Sequence, residues 1–225
     1  MLPSDMSSQL KQHHPDNHHL ELADEQVDAR FERMLQVASQ RQRGLQVLME
    51  DVYNPFNLAA IARTCDAFGV QELGFMCQER EAFNPREAGE IASRSAAKWL
   101  DYTLYEGGTN EVLSQFKRDG WHLVATSADR EAMPLSQTNL HHEKLLLLVG
   151  NERKGLSETA LSLADTKVVI PMVGMVQSLN VSVATALVLY EIVRQRGDSL
   201  HYTNSEAQAL AERWQEKDRE GKKRL

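Results

Sequence analysis

The chain has 225 residues, 42% of them hydrophobic and 25% charged, with a formal net charge of −7. That length and balance suit one sizeable α/β domain with short extensions and exclude a wholly disordered or fibrous chain. No apolar run reaches the roughly 18 residues of a membrane span. The opening "MLPSDMSSQLKQHHPDNHHL" has no apolar core of the kind that directs secretion, so a cytoplasmic protein without a membrane partner is expected.

Residues 1–24 are polar and hold four histidines in "HHPDNHH". Carboxylates are sparse around them, so the stretch reads as a disordered extension and no metal is expected. Across 25–44, Phe31, Met34, Leu35, Val37 and Ala38 recur at helical spacing, with Gly44 as a C-cap. Arg30, Arg33, Arg41 and Arg43 ride on that helix and the chain closes with "REGKKRL". Basic residues thus cluster at both ends of an acidic body, as solvated faces or as a local RNA contact.

From residue 45 a βα alternation begins. "LQVLME" is a strand, "NPFN" a turn, and "NLAAIARTCDAFG" a helix with Leu58, Ile61, Ala62, Cys65 and Phe68 on one side. "ELGFMC" is a second strand. "NPREAGEIASRSAAKW" holds a short helix and a small-residue loop. "TNEVLSQFKRDG" is a helix, "WHLVATS" a strand, and "KLLLLVG" a strand apolar enough to need cover on both faces. "SETALSLAD" is a helix, "TKVVIPM" a strand and "SVATALVLYEIVRQR" a long helix; a last charged helix runs from 205 to about 219. The alternation predicts a mostly parallel sheet with helices on both faces across 45–197, followed by a charged C-terminal segment, 198–225. Cys65 and Cys77 read as reduced core thiols.

Neither G-x-G-x-x-G nor G-x-x-x-x-G-K-[ST] occurs, and "GNERKG" has the wrong spacing for the latter. Three polar turns fall where open α/β sheets bind ligands, beyond the C-terminal strand ends. In "YNPFNLAAIARTC", Asn57 sits at the expected N-cap, and Arg63 is either a surface residue or one aimed at a phosphate or carboxylate. In "LLLLVGNERKGLS", Gly150 permits close backbone approach and Ser157 caps a helix. In "MVGMVQSLNVSVATALVLYE", Gln177, Ser178 and Asn180 interrupt a core-like stretch, with Ser178 or Asn180 as cap.

These three segments, in this order, resemble the SpoU/TrmH family of RNA ribose 2′-O-methyltransferases, over about Arg30 to Arg196. Within that family the tRNA guanosine-18 enzymes are the most similar. The resemblance implies a deep C-terminal trefoil knot, a homodimer whose active sites draw on both subunits, and S-adenosylmethionine as cofactor. It implies cofactor contacts near Thr126, Gly150, Ile170, Met172 and Leu179. It makes Arg63, Asn57, Glu152, Ser178 and Asn180 the catalytic set, with Arg63 positioning the ribose through its phosphate. Arg30, Arg33, Arg41 and Lys117 become candidate tRNA contacts. The implied reaction is methylation of guanosine 18 of tRNA. Another tRNA or rRNA ribose is the alternative, and a non-catalytic RNA-binding knot protein is the reading from a different class. The segment after Arg196 lacks the apolar and aromatic ending of the guanosine-18 enzymes, and the first ~25 residues are extra.

Overall fold

A computed structural model describes residues 29–78, 97–127 and 132–223. Strands β1 (Leu45–Glu50), β2 (Glu72–Met76), β3 (Asp101–Leu104), β4 (His122–Thr126), β5 (Met133–Pro134), β6 (Leu145–Val149) and β7 (Thr166–Val169) form one sheet. Their order is β3-β2-β1-β6-β4-β7-β5, and every pair is parallel. The helices are α1 (29–39), α2 (Pro55–Ala67), α3 (Thr109–Arg118), α4 (Glu158–Leu163), α5 (Val181–Arg196) and α6 (Asn204–Lys223).

Alternation along the central strands supplies two cores. Leu45, Val47 and Met49 of β1, in register with Leu145, Leu147 and Val149 of β6, pack with Leu58, Ile61 and Cys65 of α2 and with Val188, Leu189 and Ile192 of α5. Leu48, Leu146 and Leu148 point to the other face, against Val112, Leu113 and Phe116 of α3 and Ala160 of α4. The unbroken Leu145–Val149 run is fully buried because it lies mid-sheet between these layers. A third cluster joins the ends of the chain: Met34 and Ala38 of α1 meet Leu210, Ala211 and Trp214 of α6.

Several expectations change. Two strands escape the sequence pattern. β3 is half-exposed beside β2 at the sheet edge, and β5 has only two residues, so neither shows a clear apolar period. Gly44 does not cap α1, which ends five residues earlier, at residue 39. Instead it sits at φ 65° before β1, where a Cβ would lie 2.2 Å from the Glu143 carbonyl oxygen. The helix expected within "NPREAGEIASRSAAKW" and the histidine tract lie outside the described residues, apart from a 3-10 turn at Ala97–Trp99. Cys65 and Cys77 form no disulfide, and burial pushes the Cys65 thiol pKa up. Among the described residues no helix is long and apolar enough to cross a membrane.

Candidate active site

The ends of β1, β6 and β7 bring the three polar turns together. α2 begins at Asn54, whose side chain accepts from the Phe56 N–H at 2.9 Å, with Pro55 opening the helix. Asn54 is therefore the N-cap, not Asn57. Three residues on, Asn57 has no capping duty and its amide is free to reach sideways. Its Nδ2 donates to Glu152 Oε1 at 3.0 Å, and its Oδ1 accepts from Asn180 Nδ2 at 3.0 Å. Glu152 Oε1 also accepts the Asn54 backbone N–H at 3.2 Å. One residue from each motif is thus joined in a single hydrogen-bonded chain.

Asn180 does two jobs. It N-caps α5, accepting from Ser182 N–H at 2.8 Å and Ser182 Oγ at 2.6 Å, while its amide nitrogen holds Asn57. The cap fixes the end of the segment that precedes α5. Ser157 caps α4 as expected, accepting from Ala160 N–H at 3.1 Å.

The β6–α4 turn is held from β1. Glu50, 2% exposed, accepts from Ser157 N–H and Ser157 Oγ, both at 2.8 Å, and from Thr109 Oγ at 2.7 Å. Three donors satisfy a carboxylate that burial would otherwise penalise. Its neighbour Asp51 takes φ 55°, the one non-glycine in the left-handed region among the described residues. Its carbonyl accepts from Asn151 Nδ2 at 2.8 Å. Gly150 passes so close beneath the turn that a Cβ would stand 2.3 Å from Gly155 C and Leu156 N. Glu50 and Asp51 lie outside the three motif segments, and the one hint of their role is a carboxylate ending an apolar strand; Asn151 lies inside the second segment but is given no role there.

Beyond β7, Pro171–Leu179 makes no backbone–backbone hydrogen bond to any described residue. The segment borders a cleft of about 360 Å³, within the roughly 300–1,000 Å³ range of small-molecule sites. All five expected cofactor contacts, Thr126, Gly150, Ile170, Met172 and Leu179, line it, as do Glu152 and Ser178. Val168, Leu156 and Leu179 give it apolar walls, and Thr126, Ser178 and Gln177 give it polar ones. Asn57 and Asn180 stand behind Glu152 rather than on the lining.

Arg63 is exposed on the outer side of α2, roughly 9 Å along the axis from Asn57. Its guanidinium has no partner among the described residues, so it is available to an anion. Of the other arginines expected to meet RNA, Arg41 is a correction. It is 1% exposed, donates to Asp66 Oδ1 at 2.6 Å and to the Asp66 carbonyl at 3.0 Å, and lies 5.1 Å from the Trp214 ring centroid. Its charge is spent inside the fold. Arg30 pairs with Asp218 at 2.6 Å and Arg33 with Gln36 at 2.7 Å, both at the surface. Lys117 binds Asp165 at 2.5 Å and the Leu163 carbonyl at 2.9 Å, beside the N-terminal end of β4, away from the cleft.

The chain is 34% identical over 197 residues to a tRNA (guanosine(18)-2′-O)-methyltransferase of Aquifex aeolicus, covering 85% of this chain and 91% of that one. A protein of the same name from Thermus thermophilus is 39% identical over 175 residues, covering 76% and 86%. Among solved structures, an A. aeolicus TrmH/SpoU tRNA modifying enzyme superposes with a TM-score of 0.73 at 34% identity, covering 85% of this chain and 98% of that one. The SpoU methyltransferase AviRb of Streptomyces viridochromogenes, in complex with AdoMet, gives 0.58 at 29% identity, covering 72% and 61%. The SpoU rRNA Methylase family profile matches residues 44–190, the span that holds β1 to β7, the cleft and the Glu152–Asn57–Asn180 chain, and the protein belongs to that family.

Proposed function

We propose that the chain transfers a methyl group from S-adenosylmethionine to a ribose 2′-hydroxyl of tRNA, at guanosine 18. One observation carries this reading: a family member's cleft is lined by all five expected donor contacts and by Glu152, the end of a hydrogen-bonded Glu152–Asn57–Asn180 chain. The name shared by the A. aeolicus and T. thermophilus relatives supports the choice of RNA and position.

The cleft suits the donor. Apolar walls at Val168 and Leu156 fit an adenine ring, while the unspent backbone groups of 172–179 offer donors and acceptors to its edges. When bound, the sulfonium supplies an electrophilic methyl. The methyl's bond to sulfur breaks as its bond to the 2′-oxygen forms, and the hydroxyl proton passes to solvent or a nearby acceptor. The protein's share is alignment and charge. Arg63 holds the phosphate beside the target ribose and offsets charge growing on the 2′-oxygen. Glu152, fixed by Asn57 and Asn54, cannot swing into the cleft at random. Ser178 stands on the lining, next to the N-cap that anchors its segment.

The same reading makes the protein a cytoplasmic homodimer with a threaded chain. Val183, Leu187 and Tyr190 form an exposed apolar stripe on α5 at i, i+4, i+7 spacing, and Val173, Met175 and Val176 are exposed beside the cleft. A second copy covering these would explain why they stay apolar. For the knot, the supporting feature is the end of α5: Gln195 donates to the Thr138 carbonyl at 2.9 Å and accepts from the Leu140 N–H at 2.7 Å, so α5 is tied to a connection that precedes β6.

The test is incubation of unmodified tRNA with methyl-labelled donor, then mapping of alkali-resistant linkages. Label at position 18 is expected. Label at another ribose would move the substrate assignment, and donor binding without label in any RNA would leave a non-catalytic binder.

A further inference from the structure

The β6–α4 turn is built more rigidly than holding Glu152 requires. Asn151 and Gly155 form an isolated antiparallel bridge, with N–H to carbonyl distances of 3.0 and 2.9 Å. Asn151 Oδ1 accepts from the Arg153 N–H at 2.9 Å and the Lys154 N–H at 3.1 Å. The turn is anchored at one end by Asn151 on the Asp51 carbonyl and at the other by Ser157 on the buried Glu50. Gly150 allows the turn to close down on the strand end.

At the tip of this turn, Glu152 is drawn to Asn57, while Arg153 follows with a different fate. Its side chain is exposed, lines the mouth of the cleft, and its guanidinium has no partner among the described residues. With the backbone already fixed, binding there orders only the side chain, at roughly 0.5–1.5 kcal/mol, and no existing ion pair has to be broken first. The body of the protein is acidic, with a formal charge of −7, so a polyanion must be met by local cations. Arg153 is one such cation at the rim of the cleft, contributed by a different element from Arg63.

Given the reading above as an RNA ribose methyltransferase, we infer that Arg153 binds a phosphodiester of the RNA next to the methylated ribose, as a second anchor besides Arg63. The guanidinium donates two N–H groups to the phosphate oxygens, a geometry for which its planar fork is suited. The other anion within the cleft's reach is the carboxylate of the methyl donor. The exposed position of Arg153 at the rim favours the phosphate, which arrives from solvent with the RNA.

The experiment uses the full chain, wild type and the variants Arg153→Ala and Arg153→Lys, with an unmodified tRNA transcript. Direct tRNA binding is measured by fluorescence anisotropy across a salt series, donor binding by calorimetry, and folding by thermal denaturation. Arg153→Ala is expected to weaken tRNA binding about tenfold and to shrink the slope of log K against log salt by about 0.9, the value of one released counterion. Arg153→Lys should keep the slope and lose part of the affinity, because a point charge replaces a fork. Donor affinity and melting temperature should stay at wild-type values. An unchanged tRNA slope in Arg153→Ala overturns the inference, as does weakened donor binding with intact tRNA binding, which assigns the guanidinium to the donor's carboxylate. Because binding is read without turnover, the result stands apart from the methylation assay: absence of methylation in every RNA defeats the proposed function, not the phosphate contact.

Discussion

Asn57 Nδ2 lies 3.0 Å from Glu152 Oε1 across 95 residues of sequence, and the same Asn57 accepts from Asn180 at 3.0 Å across 123. The first-motif amide is thus the central link between the other two motifs. Replacing it by alanine removes both bonds; Glu152 keeps the Asn54 N–H and Asn180 keeps Ser182, and both residues are exposed, so the stability loss is only about 0.5–1.5 kcal/mol per bond or less, and the larger effect is the lost positioning. Asn57→Ala should lower kcat about tenfold or more. Asn57→Asp should be worse, since it sets a second carboxylate against Glu152. Steady-state kinetics of the two variants, ranked against each other, check this.

Arg63→Ala should lower kcat by about 10²- to 10³-fold, the usual loss when one donor to a developing oxyanion is removed. Donor affinity should hold, because Arg63 does not line the cleft. Lysine should not restore turnover, lacking the fork that grips phosphate. Wild-type-like turnover in Arg63→Ala would remove Arg63 from the mechanism.

Gly150→Ala places a methyl carbon within 2.3 Å of Gly155 C and Leu156 N, both backbone atoms that cannot swing aside. The turn must open, taking Glu152 and the cleft wall with it. Overpacking of this kind costs roughly 1–3 kcal/mol or more. Calorimetry should find donor binding lost or severely weakened, with a lowered melting temperature.

Leu187→Glu introduces a charge at the centre of the exposed α5 stripe, where the protomer itself makes no demand for leucine. The expected result is a folded monomer by light scattering, with impaired methylation. A dimer that persists in this variant would move the interface elsewhere on the surface.

A pH dependence follows from His122, stacked on His142 with ring centroids 3.7 Å apart. Burial, then the neighbouring His142 and Lys117, hold its pKa below the ordinary 6.5, with Asp165 pulling the other way. A histidine whose folded pKa is lowered takes its proton more readily when unfolded, so stability falls as pH drops through about 6.5. His122→Gln can keep the contact made to Thr166 Oγ at 2.8 Å and should flatten that fall. Melting temperatures of wild type and variant between pH 8 and 5 give the comparison; parallel curves would refute the assignment.

Much of the architecture is legible in sequence because its elements are strongly patterned. The fully buried Leu145–Val149 run could only be a central strand, and α5 shows its cap, its core side and its length in residues 180–196. The five residues expected to meet the donor line one cleft because the C-terminal ends of β4, β6 and β7 lie side by side there, a proximity that follows from strand order and not from any single motif. β3 and β5 are not legible in sequence, being short and partly exposed at or near sheet edges, where sequence period carries little signal.

The sequence by itself determined the element order, the three motif turns and the chemical identity of the candidate groups, because these depend on neighbours a few residues away. The tertiary structure alone decided which groups are spent and which are available. Arg41 and Arg63 look equally suited to an anion in one dimension. Only the packing of α6 against α1 buries Arg41 on Asp66 and Trp214, while Arg63 faces outward. Likewise Asn54 took the capping role and released Asn57 to Glu152. The reason is general: hydrogen-bond partners and solvent exposure are set by what the fold brings alongside a side chain, and those neighbours lie tens of residues away in the chain.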